Sequence, residues 1–281
     1  MFLETRRGRF DVVHGHYGLW CLVARMQWTT PVVAGFLGSD LLASQHDEVA
    51  FGLNIRITQA VSHWLCRHVD AVTVRSEEMQ RATGRPDTAI VSAGVDFALF
   101  HPMSRARARA ALGWDADGTY VLFGNDPKRA EKNFPLAREA IARLEQRGVR
   151  AELVVANGLP QSTLVAYLNA ANALILPSWY EGSPNIVKEA MACNVPVVAA
   201  DVGDVAQLIG RTAGCAVCPH DAEAFAAALA QALAHDGPTT GRDDIAHLDR
   251  ALVARQMIAL YERVVARGRA PSPAELAPSS Q

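Results

Sequence analysis

The chain has 281 residues, half of them apolar, enough to bury one large core or two medium ones. A formal charge of -2 leaves no basic excess of the kind that phosphate backbones attract, which argues against nucleic acid as a partner. Five scattered cysteines in a chain too large to need disulfide staples fit a reducing compartment, so a cytoplasmic protein is expected. No apolar run approaches the roughly 20 residues that span a bilayer, and the opening MFLETRRGRFDVV lacks the apolar core of a signal peptide. Membrane association is expected to be peripheral, at the inner face.

In chain order, the apolar runs DVVHGH, PVVAGFL, DAVTVRS, TAIVSAG, TYVLFGN, AELVVANG, ALILPS, VPVVAAD and GCAVC alternate with longer amphipathic stretches. Such alternation predicts an α/β fold with doubly wound parallel sheets, whose ligands bind beyond the carboxyl ends of the strands. Between the first four runs and the last five lies HPMSRARARAALGWDADG, a polar stretch read as a domain boundary. The expected organisation is a first domain over 1–105, a linker over 106–118 and a second domain over 119–240. A helix over 241–268 is expected to cross back, followed by a disordered tail over 269–281. Arg105, Arg107 and Arg109 read as a solvated face. Cys215 and Cys218 form a C-x-x-C with no second ligand pair at zinc spacing, so GCAVC reads as a buried strand and no metal site is expected. Trp20, Trp64 and Trp179 read as core or cleft wall.

The strongest chemical signal is EGSPNIVKEAMACNVPVV, Glu181 to Val198. After the strand ALILPS, Ser183 as N-cap and Pro184 as first helical residue open a helix whose free backbone N–H groups form a ready anion site, and Gly182 allows close approach. Asn185 and Ile186 follow in the first turn. Glu181, in the turn before the helix, and Glu189, about 7 Å along its axis, bracket this start and can grip two parts of one extended ligand. On the residues alone, Glu181 as a cap and Glu189 as a solvated helix residue are the favoured reading. A second cluster, YVLFGNDPKRAEKNFPLA, places Lys128, Arg129 and Lys132 in a loop after a strand that ends at Gly124; taken alone it reads as an exposed loop.

The stretch from Glu181 to Val198 resembles the E-x7-E signature of glycosyltransferase family 4, retaining enzymes of the GT-B fold. VSAGVDFALFHP is similar to that family's interdomain segment, with Ser92 and Ala93 where Pro and Asn are common, and DVVHGHYG is similar to its D-V-V-H-x-H strand. The resemblance implies two Rossmann-like domains and transfer of a sugar, with retention, from a nucleoside-diphosphate sugar to a glycan or lipid-linked acceptor. It also implies that Glu181 positions the sugar and Glu189 the ribose, with amides near Ser183 to Ile186 on phosphate or sugar. Arg129 and Lys132 would neutralise the leaving diphosphate, Asn125 standing where the family's Arg is usual, and neither cofactor nor metal is expected. In FLGSDLL, Leu37 replaces a frequent histidine; Asp40 is open as cap or ligand, and His16 as a residue reaching the cleft. The wording is most similar to that of bacterial surface-polysaccharide enzymes. The first domain is expected to be incomplete, because the family carries further strands before D-V-V-H. Two other readings stay open: a sugar-nucleotide-binding remnant without turnover, and a sugar-nucleotide epimerase.

Overall fold

All nine apolar runs form strands, and each lies in a parallel sheet. The structure, a computed structural model, describes residues 10–42 and 47–269. The chain divides into two units, one of residues up to Val91 together with those from Ala254 onward, the other of Ser92–Val253.

In the first unit the elements are β1 (Val13–His16), α1 (Gly18–Arg25), β2 (Val32–Gly35), α2 (Asp47–His68), β3 (Ala71–Val74), α3 (Glu77–Thr83) and β4 (Ala89–Ile90). Sheet order is β1-β2-β3-β4, with His14 opposite Val33 and Gly35 opposite Thr73. VVAG and AVTV lack polar alternation because β2 and β3 are covered on both faces. One face packs on Cys21, Phe36, Leu65 and Met79; on the other, Val33 and Ala71 meet Leu260 and Val264 from the far end of the chain. The Ser76 hydroxyl accepts the Met79 N–H at 3.3 Å to start α3, and Gly84, at φ 62°, ends it.

The second unit runs α4 (Arg105–Leu112), β5 (Tyr120–Phe123), α5 (Phe134–Gln146), β6 (Glu152–Val155), α6 (Gln161–Ala170), β7 (Ala173–Leu176), α7 (Asn185–Ala192), β8 (Val197–Ala200), α8 (Val205–Ile209), β9 (Ala216–Cys218), α9 (Ala222–Leu233) and α10 (Gly241–Asp244). Its sheet order, β6-β5-β7-β8-β9, reverses direction after β6 and leaves a crevice between the carboxyl ends of β5 and β7. Phe123, Leu174, Ile175, Val198 and Phe225 belong to its buried core. Helix α11 (Arg250–Arg269) starts in the second unit and continues into the first.

Several expectations need correction. The division falls between Val91 and Ser92 and not near residue 105, and the polar stretch is part of the second unit rather than a linker. Its anchor is Arg109, read from the sequence as solvated but only 5% exposed. Arg109 donates from Nε to Ala170 O at 3.0 Å, from Nη1 to Ala116 O at 2.5 Å and from Nη2 to Asn172 Oδ1 at 2.8 Å. Alternation of Ala and Arg hid this, since a helix turns one of three such arginines inward. Trp20 is on the surface, at 68% exposure, and Trp64 is exposed and stacked on His68. Strand β9 lies at a sheet edge and is not fully buried; burial nevertheless pushes the Cys215 and Cys218 thiols up to about 11, and Cys215 Sγ accepts the Val197 N–H. The tail from Ala270 lies outside the described residues. Among the described residues no helix is long and apolar enough to cross a membrane.

Replacing Arg109 with Met strands the buried Ala170 carbonyl and removes the bonds to Ala116 O and Asn172 Oδ1, so Arg109→Met is expected to lower stability by about 1–3 kcal/mol. Urea denaturation followed by tryptophan fluorescence measures this; a midpoint within 0.2 M or so of the unsubstituted chain refutes the anchoring role.

Candidate functional site

At the β5/β7 crevice, entirely within the second unit, lies a cleft of about 340 Å³. Four segments build it: the loop after β5, helix α6, the turn after β7 and the first turns of α7. Gly124 ends β5, and a Cβ there would come within 2.4 Å of Ile186 Cγ1, so only glycine lets the β5 end and α7 approach this closely. Next to it, Asn125 also lines the cleft, and its Nδ2 is buried without a hydrogen-bond partner.

The loop then tightens into a 3-10 turn at Ala130–Lys132 and reverses at Asn133, which takes the left-handed conformation at φ 52° before α5 begins. This turn brings Lys132 inward, at 8% exposure. Its Nζ donates to Glu181 Oε1 at 2.7 Å, and the Ser178 hydroxyl donates to the same oxygen at 2.9 Å. Both bonds fall on Oε1, so Oε2 is the oxygen left to meet a ligand. A backbone bond from Trp179 N to Glu131 O, 2.9 Å, joins the two loops a second time. The Trp179 ring stacks on His220, 4.5 Å between centroids, and is not part of the cleft lining.

Helix α7 begins one residue later than expected. Pro184 is its N-cap and Asn185 its first residue, and Ser183 makes no cap. Proline offers no N–H, so the first-turn amides at Asn185, Ile186 and Val187 carry the positive end of the helix towards the cleft. The Ser183 hydroxyl is turned away to Asp204 Oδ2, at 2.5 Å, and to Ser92 Oγ, at 2.7 Å. Gly182 does not line the cleft; its carbonyl, with that of Glu181, backs onto Gly203, whose φ of +59° and missing Cβ allow the contact.

Glu189, one turn into α7, also lines the cleft. Burial pushes its carboxyl up to about 7, against a smaller opposing effect of the Lys188 charge. The solvated-residue alternative therefore fails for Glu189. The capping alternative fails for Glu181, whose carboxylate accepts from side chains instead.

Of the residues singled out in the sequence, Gly124, Lys132, Glu181, Ser183, Pro184, Asn185, Ile186 and Glu189 meet in this cleft. Arg129 does not: it pairs with Glu131, and its side chain is 60% exposed. Sequence reasoning passed over Leu164, which contributes an α6 side chain to the lining, and Lys188, which is fully buried. Leu164 left no local signal; for Lys188 the signal was the company of Ile186, Val187, Ala190 and Met191 around it.

His16 and Asp40 belong to the first unit. Asp40 is fully buried and knits its own loop, accepting from Leu37 N and Gly38 N on Oδ1, each at 2.9 Å, and from Gly18 N at the start of α1 on Oδ2 at 3.1 Å. Of cap and ligand, its geometry is that of a cap. His16 is exposed and lies against His14, ring centroids 4.1 Å apart. The His14 ring bonds the Tyr261 hydroxyl at 2.7 Å, and burial with neighbouring positive charge lowers it to about 4.

Residues 94–235, just over half of the chain, match the family described as glycosyl transferases group 1. The chain belongs to this family. Among family relatives, D-inositol 3-phosphate glycosyltransferase of Thermobispora bispora is 27% identical over 271 aligned positions, covering 80% of this chain. The chain spans only 63% of that relative's length. Sucrose-phosphate synthase of Thermosynechococcus elongatus shares the fold at a TM-score of 0.71 and 23% identity, covering 95% of this chain and 77% of its own. Anabaena HepE, solved in complex with UDP and glucose, does so at 0.69 and 16%, covering 92% and 80%. The fold is therefore GT-B, with two Rossmann-like units each built on a parallel sheet.

The raised Glu189 carboxyl makes folding take up a proton between about pH 4.5 and 7. Its contribution is thus fully present below about pH 4.5 and is lost as pH rises through about 7, by at most about 3 kcal/mol. In Glu189→Gln this slope disappears. Subtracting urea-denaturation profiles of the two proteins across that range isolates it, and identical profiles would show that Glu189 titrates as in the unfolded chain.

Proposed function

We propose that the second unit holds a nucleoside-diphosphate sugar and that the whole protein transfers its sugar, with retention of anomeric configuration, to a glycan or lipid-linked acceptor. The observation that carries this reading is the pair Glu181 and Glu189 on either side of the α7 start, with Lys132 already seated on Glu181 in a cleft at the sheet's switch point. Support comes from family membership and from Anabaena HepE, a protein of the same fold solved with UDP and glucose.

The chemistry follows from where charge develops. As the bond from sugar to diphosphate breaks, negative charge grows on the leaving oxygen and positive charge on the ring. The Lys132 ammonium and the first-turn amides of α7 meet the diphosphate, and Asn125 Nδ2 supplies a neutral donor beside them. Because the chain supplies these donors itself, the reading calls for neither metal nor cofactor. Glu181 Oε2 accepts from sugar hydroxyls while Oε1 stays on Lys132. Glu189 accepts both ribose hydroxyls, a role that needs its ionised form. Attack from the face that the diphosphate leaves, within a short-lived ion pair, keeps the configuration. The wider setting in this reading is surface-polysaccharide assembly at the cytoplasmic face of the membrane.

Isothermal titration with UDP, GDP and ADP tests the donor half. Lys132→Met and Glu181→Ala are each expected to weaken the nucleotide-sugar complex at least tenfold, and an effect below twofold in both removes the assignment. Affinity should also climb as pH rises from 6 to 8 and Glu189 ionises, with Glu189→Gln weak and flat over the same range. Product analysis by mass spectrometry, with and without a glycan acceptor, separates transfer from hydrolysis or epimerisation; an epimerised sugar nucleotide as the sole product refutes the transferase.

A further inference from the structure

Lys188 is among the largest fully buried side chains of the chain, yet it makes no part of the cleft wall. It is the fourth residue of α7 and points away from Glu189, its neighbour in sequence. Nζ donates to Ala93 O at 2.9 Å, Ser183 Oγ at 3.0 Å and Ser92 Oγ at 3.2 Å, so each of its three N–H groups has an acceptor. The Ser183 hydroxyl donates its single proton to Asp204 Oδ2 at 2.5 Å. Its contact with Ser92 Oγ at 2.7 Å must then run from Ser92 to Ser183.

The proton inventory has a consequence for the cleft. Ser183 accepts from Lys188 and Ser92 and donates to Asp204, so its hydroxyl has nothing left to offer a ligand. What the turn presents is backbone, and the turn's orientation is fixed from behind. Asp204, 6% exposed, lies one residue after Gly203, which abuts the carbonyls of Glu181 and Gly182. The turn is thus held through its hydroxyl, which bonds both Lys188 and Asp204, and its carbonyls pack against Gly203.

We infer that Lys188 is a positioning residue, whose buried ammonium, through the Ser183 hydroxyl, holds the turn from Glu181 to Pro184 and the first amides of α7 in the orientation that receives a ligand. Stability alone gives little reason to keep such a charge, since a buried ion pair is often replaced by apolar side chains without loss. A methionine would fill the same space but could not direct three bonds. Preorganised donors depend on such support, because a turn free to rotate must be ordered again at each binding event. The inference rests on the sugar-nucleotide reading only for the identity of the ligand.

Two variants separate positioning from charge neutralisation. Lys188→Met strands the Asp204 carboxylate, whereas Lys188→Met/Asp204→Asn leaves no uncompensated charge and keeps the test valid if the single variant folds poorly. Three measurements apply to both: thermal midpoint, backbone amide hydrogen exchange over residues 182–187, and titration with UDP, GDP and ADP. The double variant is expected to regain most of the lost thermal stability while its exchange stays at least tenfold faster and its nucleotide affinity at least tenfold weaker than in the unsubstituted chain. Recovery of all three in the double variant overturns the inference, because the lysine then serves only to neutralise Asp204. If the unsubstituted chain binds none of the three nucleotides, the donor reading falls, and the exchange rates alone decide the role of Lys188.

Discussion

One ion pair, Lys132 Nζ to Glu181 Oε1 at 2.7 Å, joins the loops that leave β5 and β7, two strands adjacent in the sheet and separated by a whole crossover in sequence. Its side chains are only 10% and 13% exposed, so it is sheltered from the screening that weakens surface pairs. The pair ties the two loops together beyond the ends of their strands, beside the backbone bond from Trp179 N to Glu131 O. Lys132 also shows how backbone sets chemistry: the 3-10 turn and the left-handed Asn133 rotate this cation inward while Arg129, three residues earlier, faces Glu131 and solvent. A ligand entering here meets a cation already partly stripped of water, with its orientation settled beforehand.

The two carboxylates of the cleft differ by environment. Glu181 faces an ammonium and a hydroxyl. Glu189 is enclosed by helix and apolar wall, and the one ammonium beside it in sequence is committed to Ser92, Ala93 and Ser183. Burial therefore outweighs attraction and the Glu189 proton is retained to near neutrality. Consecutive helical residues with opposite assignments, one to the wall behind and one to the cleft in front, explain how an eight-residue helix does both.

Much of this was legible beforehand. Five strands, β2, β3, β5, β7 and β8, are buried along their whole length, and strands covered on both faces write their burial directly into composition. The cleft residues between Glu181 and Glu189 were legible because a glycine, a proline and two acids around a helix start have few other uses. Side-chain direction was not. A serine before a proline reads as a cap, but here Ser92, 91 residues away, and Asp204, 21 residues away, share the Ser183 hydroxyl with Lys188, and only tertiary structure reveals that competition. Arg109 and Lys188 are both cations on helices, the one read as solvated and the other passed over, and both are buried with a backbone carbonyl among their acceptors. The boundary near residue 105 failed for a related reason, since one inward side chain, Arg109, ties a largely exposed polar stretch to the second unit.

The division of the chain also bears on its synthesis. The second unit is continuous from Ser92 to Val253, whereas the first closes only with residues beyond Ala254. On the ribosome the first unit is begun first and finished last. Until Leu260 and Val264 emerge, Val33 and Ala71 present an uncovered apolar patch. The interval spans the synthesis of the whole second unit, and through it the unfinished face is exposed to chaperones or to other nascent chains.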